Sequence, residues 1–157
     1  MTTPSTSTMP CYCCSGKAYS DCCAPIIQAC SATTPEILMR SRYSAFCIKN
    51  ADYLIATASP ATRSPDLASG LESTFKTTHW RGLKVIKSGD NFVEFSAFFC
   101  QKTNTEQIDQ IHELSHFERI EGKWYYAQGK HLPPLKLQRN DSCFCGSQKK
   151  YKNCCAK

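Results

Sequence analysis

Between residues 33 and 134 the hydrophobic period of the chain changes once. In "TTPEILMRSRYSAFCIKN" (33–50) the apolar positions Met39, Tyr43, Phe46 and Cys47 recur at helical spacing, with Thr33 or Thr34 as N-cap, Pro35 in the first turn and Glu36 after it. The pattern predicts an amphipathic helix of about four turns. Asn50 caps a second short stretch, "ADYLIATA", which stops before Pro60; a third runs from Pro65 to Phe75, weakened by Ser69 and Gly70. After Phe75 the period becomes two. "THWRGLKVIK", "NFVEFSAFFCQ", "IDQIHELSHFERI" and "KWYYAQGK" are rich in β-formers, and "SGD" and "EGK" between them read as hairpin turns. Helices followed by consecutive antiparallel strands predict an α+β fold with the helices packed on one sheet face.

Outside that span the hydrophobic pattern gives way to cysteine. "CYCCSGKAYSDCC" (11–23) aligns with "CFCGSQKKYKNCC" (143–155) at seven identities in thirteen, and the C-x-C-x8-C-C spacing matches in full. A C-x-C places two thiolates on one tight loop, and a vicinal pair eight residues later returns to the same point, as a small tetrahedral zinc site requires. Disulfides explain the pattern poorly. Adjacent Cα atoms sit about 3.8 Å apart, against the roughly 4.4–6.8 Å that a disulfide prefers, so neither Cys22–Cys23 nor Cys154–Cys155 closes on itself without strain. Cys30, Cys47 and Cys100 have no partner spacing; Cys47 and Cys100 read as small buried hydrophobes.

Composition adds the compartment and the charge. A chain of 157 residues, 41% hydrophobic, fits one core of about 100 residues with short appendages. No stretch approaches the roughly 18 apolar residues of a membrane span, and "MTTPSTSTMP" lacks the basic start and apolar run of a secretory signal. We therefore expect a cytoplasmic protein with reduced thiols, in which twelve cysteines point to metal. From Lys130 onward seven basic residues (Lys130, Lys136, Arg139, Lys149, Lys150, Lys152, Lys157) face one acid, Asp141, so the whole formal charge of +6 lies in the tail. Two tetrathiolate zinc sites would lower that charge by four, to +2.

Both cysteine segments resemble the SEC-C motif, the metal-binding module known from the C-terminus of the SecA translocation ATPase, whose core reads close to CxCGSGKKYKxCC. The resemblance implies two zinc ions per chain, one held by Cys11, Cys13, Cys22 and Cys23, the other by Cys143, Cys145, Cys154 and Cys155. Each copy departs once from the motif's glycines, at Cys14 and at Gln148. Two modules around one domain, with "LMRSRYSAF", "YLIATASPATR", "HWRGLKVI" and "HELSHFERIEGKWYYAQG" between them, also resemble the YchJ-like family of uncharacterised bacterial proteins. That resemblance implies a nuclear transport factor 2-like, cystatin-like cone in which helices cross a curved sheet that can hold a pocket. It divides the chain into an N-terminal zinc module (1–30), the α+β domain (31–134) and a C-terminal zinc module (135–157). The SEC-C resemblance implies docking to a protein or ribosome partner, either the ribosome or the protein-export machinery, since the SecA copy contacts the SecB chaperone and the ribosome.

Three functional readings follow. In the first the chain is a zinc-binding adaptor, with Lys149, Lys150, Tyr151 and Lys152, together with Phe144 and Lys157, meeting ribosomal RNA through phosphate contacts and stacking. In the second the middle domain binds or converts a small molecule in a pocket lined by Arg40, Arg42, Tyr43, His79, Trp80 and Arg81. In the third the all-thiolate sites hold iron or sense oxidants. His112 and His116 share one strand face and Glu113 lies on the other, which separates that acid from the imidazoles. The sequence has no nucleophilic triad, Gly-rich phosphate loop or carboxylate pair at useful spacing, so it leans away from an enzyme.

Overall fold

The computed structural model describes residues 9–156; Lys157 lies outside them, as does most of the "MTTPSTSTMP" stretch. Four helices precede four strands: α1 (Cys23–Ala29), α2 (Pro35–Cys47), α3 (Ala51–Ala56) and α4 (Leu67–Thr77), then β1 (Thr78–Ser88), β2 (Phe92–Gln101), β3 (Asn104–Ile120) and β4 (Lys123–His131). Short 3-10 turns at Tyr19–Asp21 and Tyr151–Asn153 occupy matching places in the two cysteine segments.

Helix α2 starts where its capping chemistry dictates. Thr34 Oγ1 accepts from Ile37 N at 3.1 Å and Pro35 occupies the first turn. Asn50 Oδ1 caps α3 in the same way, accepting from Tyr53 N at 3.0 Å. Helix α2 buries more than the expected stripe: Leu38, Ser41, Ser44 and Ala45 are enclosed along with Met39 and Tyr43, whereas Phe46 and Cys47 stay half-buried. Its other flank meets α1 and α3, and there the Ser41 hydroxyl reaches the Tyr53 hydroxyl at 2.6 Å.

The strands form one antiparallel sheet in the order β1-β2-β3-β4. Register shifts at Trp80/Gly82, Val85/Lys87, Phe99/Gln101 and His116/Phe117 break the ladders, and such bulges bend a sheet and strengthen its twist. The inner face, with Leu83, Val93, Ala97 and Phe117, packs against Leu38, Met39 and Tyr43. Phe98 faces the other way and joins a second cluster with Cys143 and Phe144. The sheet therefore has helices on one face and the C-terminal cysteine segment on the other.

After β4 the chain crosses that outer face as an extended strap. Gln110 holds it through Leu135, its Oε1 accepting from Leu135 N at 2.8 Å and its Nε2 donating to Leu135 O at 3.0 Å. His112 places Nδ1 2.6 Å from Pro133 O and Nε2 2.8 Å from Glu94 Oε2. Alternation does keep Glu113 away from this ring, but a neighbouring strand supplies the acid instead.

Candidate metal centres

The two cysteine segments fold into the same knuckle. Cys11 N donates to Lys17 O at 2.9 Å and Cys143 N to Lys149 O at 2.8 Å; Cys22 N donates to Tyr19 O and Cys154 N to Tyr151 O, both at 3.1 Å. Within each, four sulfurs converge: Cys11, Cys13, Cys22 and Cys23 in one, Cys143, Cys145, Cys154 and Cys155 in the other, all ligand atoms of a set lying within 4.8 Å of one another. Four sulfurs bonded at about 2.3 Å to a tetrahedral zinc ion stand about 3.8 Å apart. The Cys13–Cys22 and Cys22–Cys23 sulfurs are 3.6 and 4.0 Å apart, and Cys145–Cys154 and Cys154–Cys155 are 3.4 and 4.0 Å apart, so both sets fit such an ion.

The electrostatics favour a cation at the centre of each set. Hydrogen bonds from the Cys13 and Cys23 thiols hold Cys11 far below the usual thiol range, while the Cys11 thiolate chiefly pushes Cys23 up. Among thiols alone one ionised sulfur thus opposes ionisation of the next, and a divalent ion removes that opposition. In the second set burial disfavours the Cys145 thiolate, but hydrogen bonds from the Ser147 side chain and backbone and from neighbouring thiols bring its pKa down to about 7. Ser15 and Ser147 place their hydroxyls 3.2 Å from Cys22 and Cys154, equivalent sulfurs. The first knuckle is also tied to the domain: Arg40 Nη1 donates to Cys13 O at 2.8 Å, and the buried Ser44 hydroxyl lies 3.7 Å from the Cys11 sulfur. Such outer contacts orient the ligands of a metal.

The knuckles lie against each other, and equivalent positions meet. Cys14 aligns with Gly146, and a Cβ built on Gly146 would sit 3.1 Å from Cys14 Sγ and 3.3 Å from Cys14 Cβ. Gly16 aligns with Gln148, whose Nε2 lies 3.8 Å from where a Gly16 Cβ would be. Contact between equivalent residues is the mark of a two-fold axis, here an approximate one within a single chain. All four positions have positive φ: 62° at Cys14, 86° at Gly16, 81° at Gly146 and 66° at Gln148. At each aligned pair the side chain of one knuckle therefore faces the glycine of the other. Cys14 stands outside both sulfur clusters; its sulfur is 3.6 Å from Phe144 O, inside the contact between knuckles.

The second knuckle reaches the sheet through Phe144, which is 1% exposed and stacks on Phe98 at 4.3 Å and 11°. Gly82 admits it, because a Cβ there would overlap Phe144 O; Leu83 N donates to that oxygen at 3.2 Å. Phe144 is thus withdrawn from any base-stacking role, and Tyr151, half-buried with its ring tilted against Phe144 at 6.1 Å, packs rather than projects. Lys149 and Lys150 are exposed and Lys152 is half-buried.

A separate cavity of about 200 Å³ opens between α2 and the inner sheet face. Tyr43 and Trp80 line it, as their stretches of sequence suggested, but Arg40, His79 and Arg81 lie elsewhere. Alternation along β1 turns Trp80 inward, leaving His79 exposed and sending Arg81 towards the Cys100 sulfur, 4.0 Å away. Arg40 faces the first knuckle, and Arg42, on the helical stripe 39-42-43-46, takes the place beside the cavity. Glu113, Ser115 and Tyr126 complete its polar side, a group whose only sequence signal is the odd-numbered alternation Ile111-Glu113-Ser115-Phe117.

Comparison with known proteins agrees with both parts of this structure. Residues 34–129 match the middle NTF2-like domain of YchJ, and residues 139–157 match the SEC-C motif. UPF0225 protein plu2503 of Photorhabdus laumondii is 46% identical over 156 residues, spanning 92% of this chain and 97% of that protein. UPF0225 protein SG1365 of Sodalis glossinidius is 44% identical over 153 residues, spanning 93% and 97%. Among solved structures, that of RPA3114, a SEC-C motif containing protein from Rhodopseudomonas palustris, superposes with a TM-score of 0.70 at 32% identity, covering 80% of this chain and all of that one. The crystal structure of a SEC-C motif containing protein from Psychrobacter arcticus gives 0.63 at 28% identity, covering 96% and 97%.

Proposed function

The chain belongs to the UPF0225 family and carries the YchJ-type NTF2-like middle domain, and from that premise we propose that it is a zinc-binding adaptor whose paired knuckles form one docking head for the ribosome. The observation that carries the reading is the contact between the two tetracysteine knuckles, which brings both cysteine sets together in the part of the chain that carries the exposed Lys149 and Lys150. In it the N-terminal knuckle is a second SEC-C module and the ions are zinc. The ions would hold segments too short to have cores of their own, and the lysines would meet RNA phosphates. The setting is cytoplasmic, and no helix among the described residues is long and apolar enough to cross a membrane.

Two measurements test this reading. Protein purified without added metal should contain about two zinc ions per chain; Cys13→Ser should keep one and Cys14→Gly both. Substoichiometric iron would replace the adaptor with a metal or redox sensor, and loss of metal in Cys14→Gly would overturn the ligand set. Ribosome co-sedimentation should require residues 143–157. With about three lysine–phosphate contacts, affinity should fall roughly 20- to 40-fold between 50 and 200 mM salt. Unchanged pelleting after removal of that segment would leave a protein partner or none.

A further inference from the structure

The cavity between α2 and the sheet holds two charged groups that the docking head does not use. Glu113 is 9% exposed, yet its hydrogen bonds converge on one oxygen: the Ser115 and Tyr126 hydroxyls donate to Oε1 at 2.7 and 2.8 Å. Among the described residues no fully buried side-chain polar atom lacks a partner, so the uncommitted Oε2 keeps surface of its own, and the space that Glu113 lines is this cavity. The backbone makes room for it. Gly129 stands opposite Ser115 on β4, and a Cβ there would overlap Glu113 Oε1, so the carboxylate is held over the one residue type that allows it.

Arg42 lines the same cavity. Its Nη1 donates to Leu54 O at 2.8 Å and to Thr57 Oγ1 at 2.6 Å, and its guanidinium lies 5.0 Å over the Tyr126 ring. Both bonds leave from Nη1, so the remaining N–H groups are uncommitted. Burial lowers the Arg42 pKa to about 10, which leaves it charged at neutral pH. The rest of the wall is aromatic and apolar, including Tyr43, Trp80, Phe95 and Phe117.

From this arrangement we propose that the cavity binds a ring-sized neutral molecule carrying an amide, whose N–H donates to Glu113 Oε2 and whose C=O accepts from Arg42. Volume sets the size: a dry cavity of about 150 Å³ takes benzene, so one of about 200 Å³ takes a ring with a small substituent. Charge sets the class. A carboxylate and a guanidinium balance each other, so a charged ligand would leave one charge uncompensated in a low-dielectric site, whereas an amide offers a donor and an acceptor together. The aromatic walls supply contact area for the ring. This inference is independent of the metal centres, and its test reads neither metal nor ribosomes.

The full-length, metal-loaded protein is titrated with benzamide, toluene, benzoate and benzylamine, and binding is followed by NMR shifts of the Trp80 indole and Ala97 methyl. Benzamide should bind at least tenfold more tightly than the other three. Glu113→Gln keeps an oxygen for the Ser115 and Tyr126 hydroxyls but turns the other position into a donor, so it should weaken benzamide at least tenfold and leave toluene unchanged. Ala97→Leu, which fills the apolar wall, should abolish every response of the Trp80 indole while raising Tm. Toluene or a charged probe binding as well as benzamide, benzamide binding unaffected by Glu113→Gln, or no response to any probe would each overturn the assignment.

Discussion

Replacing Gly146 by alanine tests whether the two knuckles form one unit. The first cost is conformational: φ at Gly146 is +81°, and an L-residue in the left-handed region costs about 1–2 kcal/mol. The second is steric and belongs to the contact between knuckles. The new Cβ would lie 3.1 Å from Cys14 Sγ and 3.3 Å from Cys14 Cβ, so the Cys14 side chain must turn away from its preferred rotamer at about 0.5–1.5 kcal/mol. Together these predict a loss of about 1.5–3.5 kcal/mol, or a Tm about 3–14 °C lower at a scale of about 2–4 °C per kcal/mol for a chain of this size. Cys14→Gly alone should be nearly neutral, because it trades a half-buried thiol for relief of a positive φ of 62°. In the double variant the steric cost disappears and only the conformational one remains. A double-mutant cycle, read as Tm at saturating zinc and fixed protein concentration, should therefore give a coupling of about 0.5–1.5 kcal/mol. Strictly additive effects would show that the two positions do not meet and that the approximate two-fold contact is absent.

Two further outcomes follow from the same packing. Gly82→Ala drives a Cβ into Phe144 O and should separate the second knuckle from the sheet, with a loss near the 3–5 kcal/mol of a core Phe→Ala change and new protease cleavage in the 132–142 strap, but with both metal ions retained; wild-type resistance to protease would contradict it. Burial pushes the Cys47 thiol and the Tyr53 phenol each up to about 12, so the native state keeps protons that the unfolded chain releases from about pH 9 and pH 10. Their contribution to stability should be complete below pH 9 and lost as pH rises towards 12, and Cys47→Ala should delay the onset; a Tm constant from pH 9 to 11.5 would refute this.

Much of the site was legible in the chain because its signals are local. Four cysteines in thirteen residues enclose a metal-sized volume whatever lies around them, and the Thr34, Pro35 and Asn50 signals start helices wherever the rest of the domain sits. The cavity was only half legible for the opposite reason. Trp80 and Tyr43 sit on faces that periodicity assigns, but the periodicity of β1 also excludes His79 and Arg81, which nearness in sequence had grouped with Trp80. Glu113 gave only its place in the odd-numbered alternation of β3, since its role depends on Ser115 beside it, Tyr126 across the ladder and the missing side chain of Gly129.

The sequence by itself determined the two four-cysteine sets, the order of helices and strands, and the basic tail, because spacing, capping and charge act within a few residues. Only the tertiary structure decided that segments 130 residues apart lie against each other rather than at opposite ends, that Phe144 serves the sheet instead of a nucleic acid, and that a carboxylate and a guanidinium share one aromatic cavity. Those outcomes depend on which side chains are missing at Gly82, Gly129 and Gly146, and an absent side chain acquires meaning only when the atoms that fill its place are known.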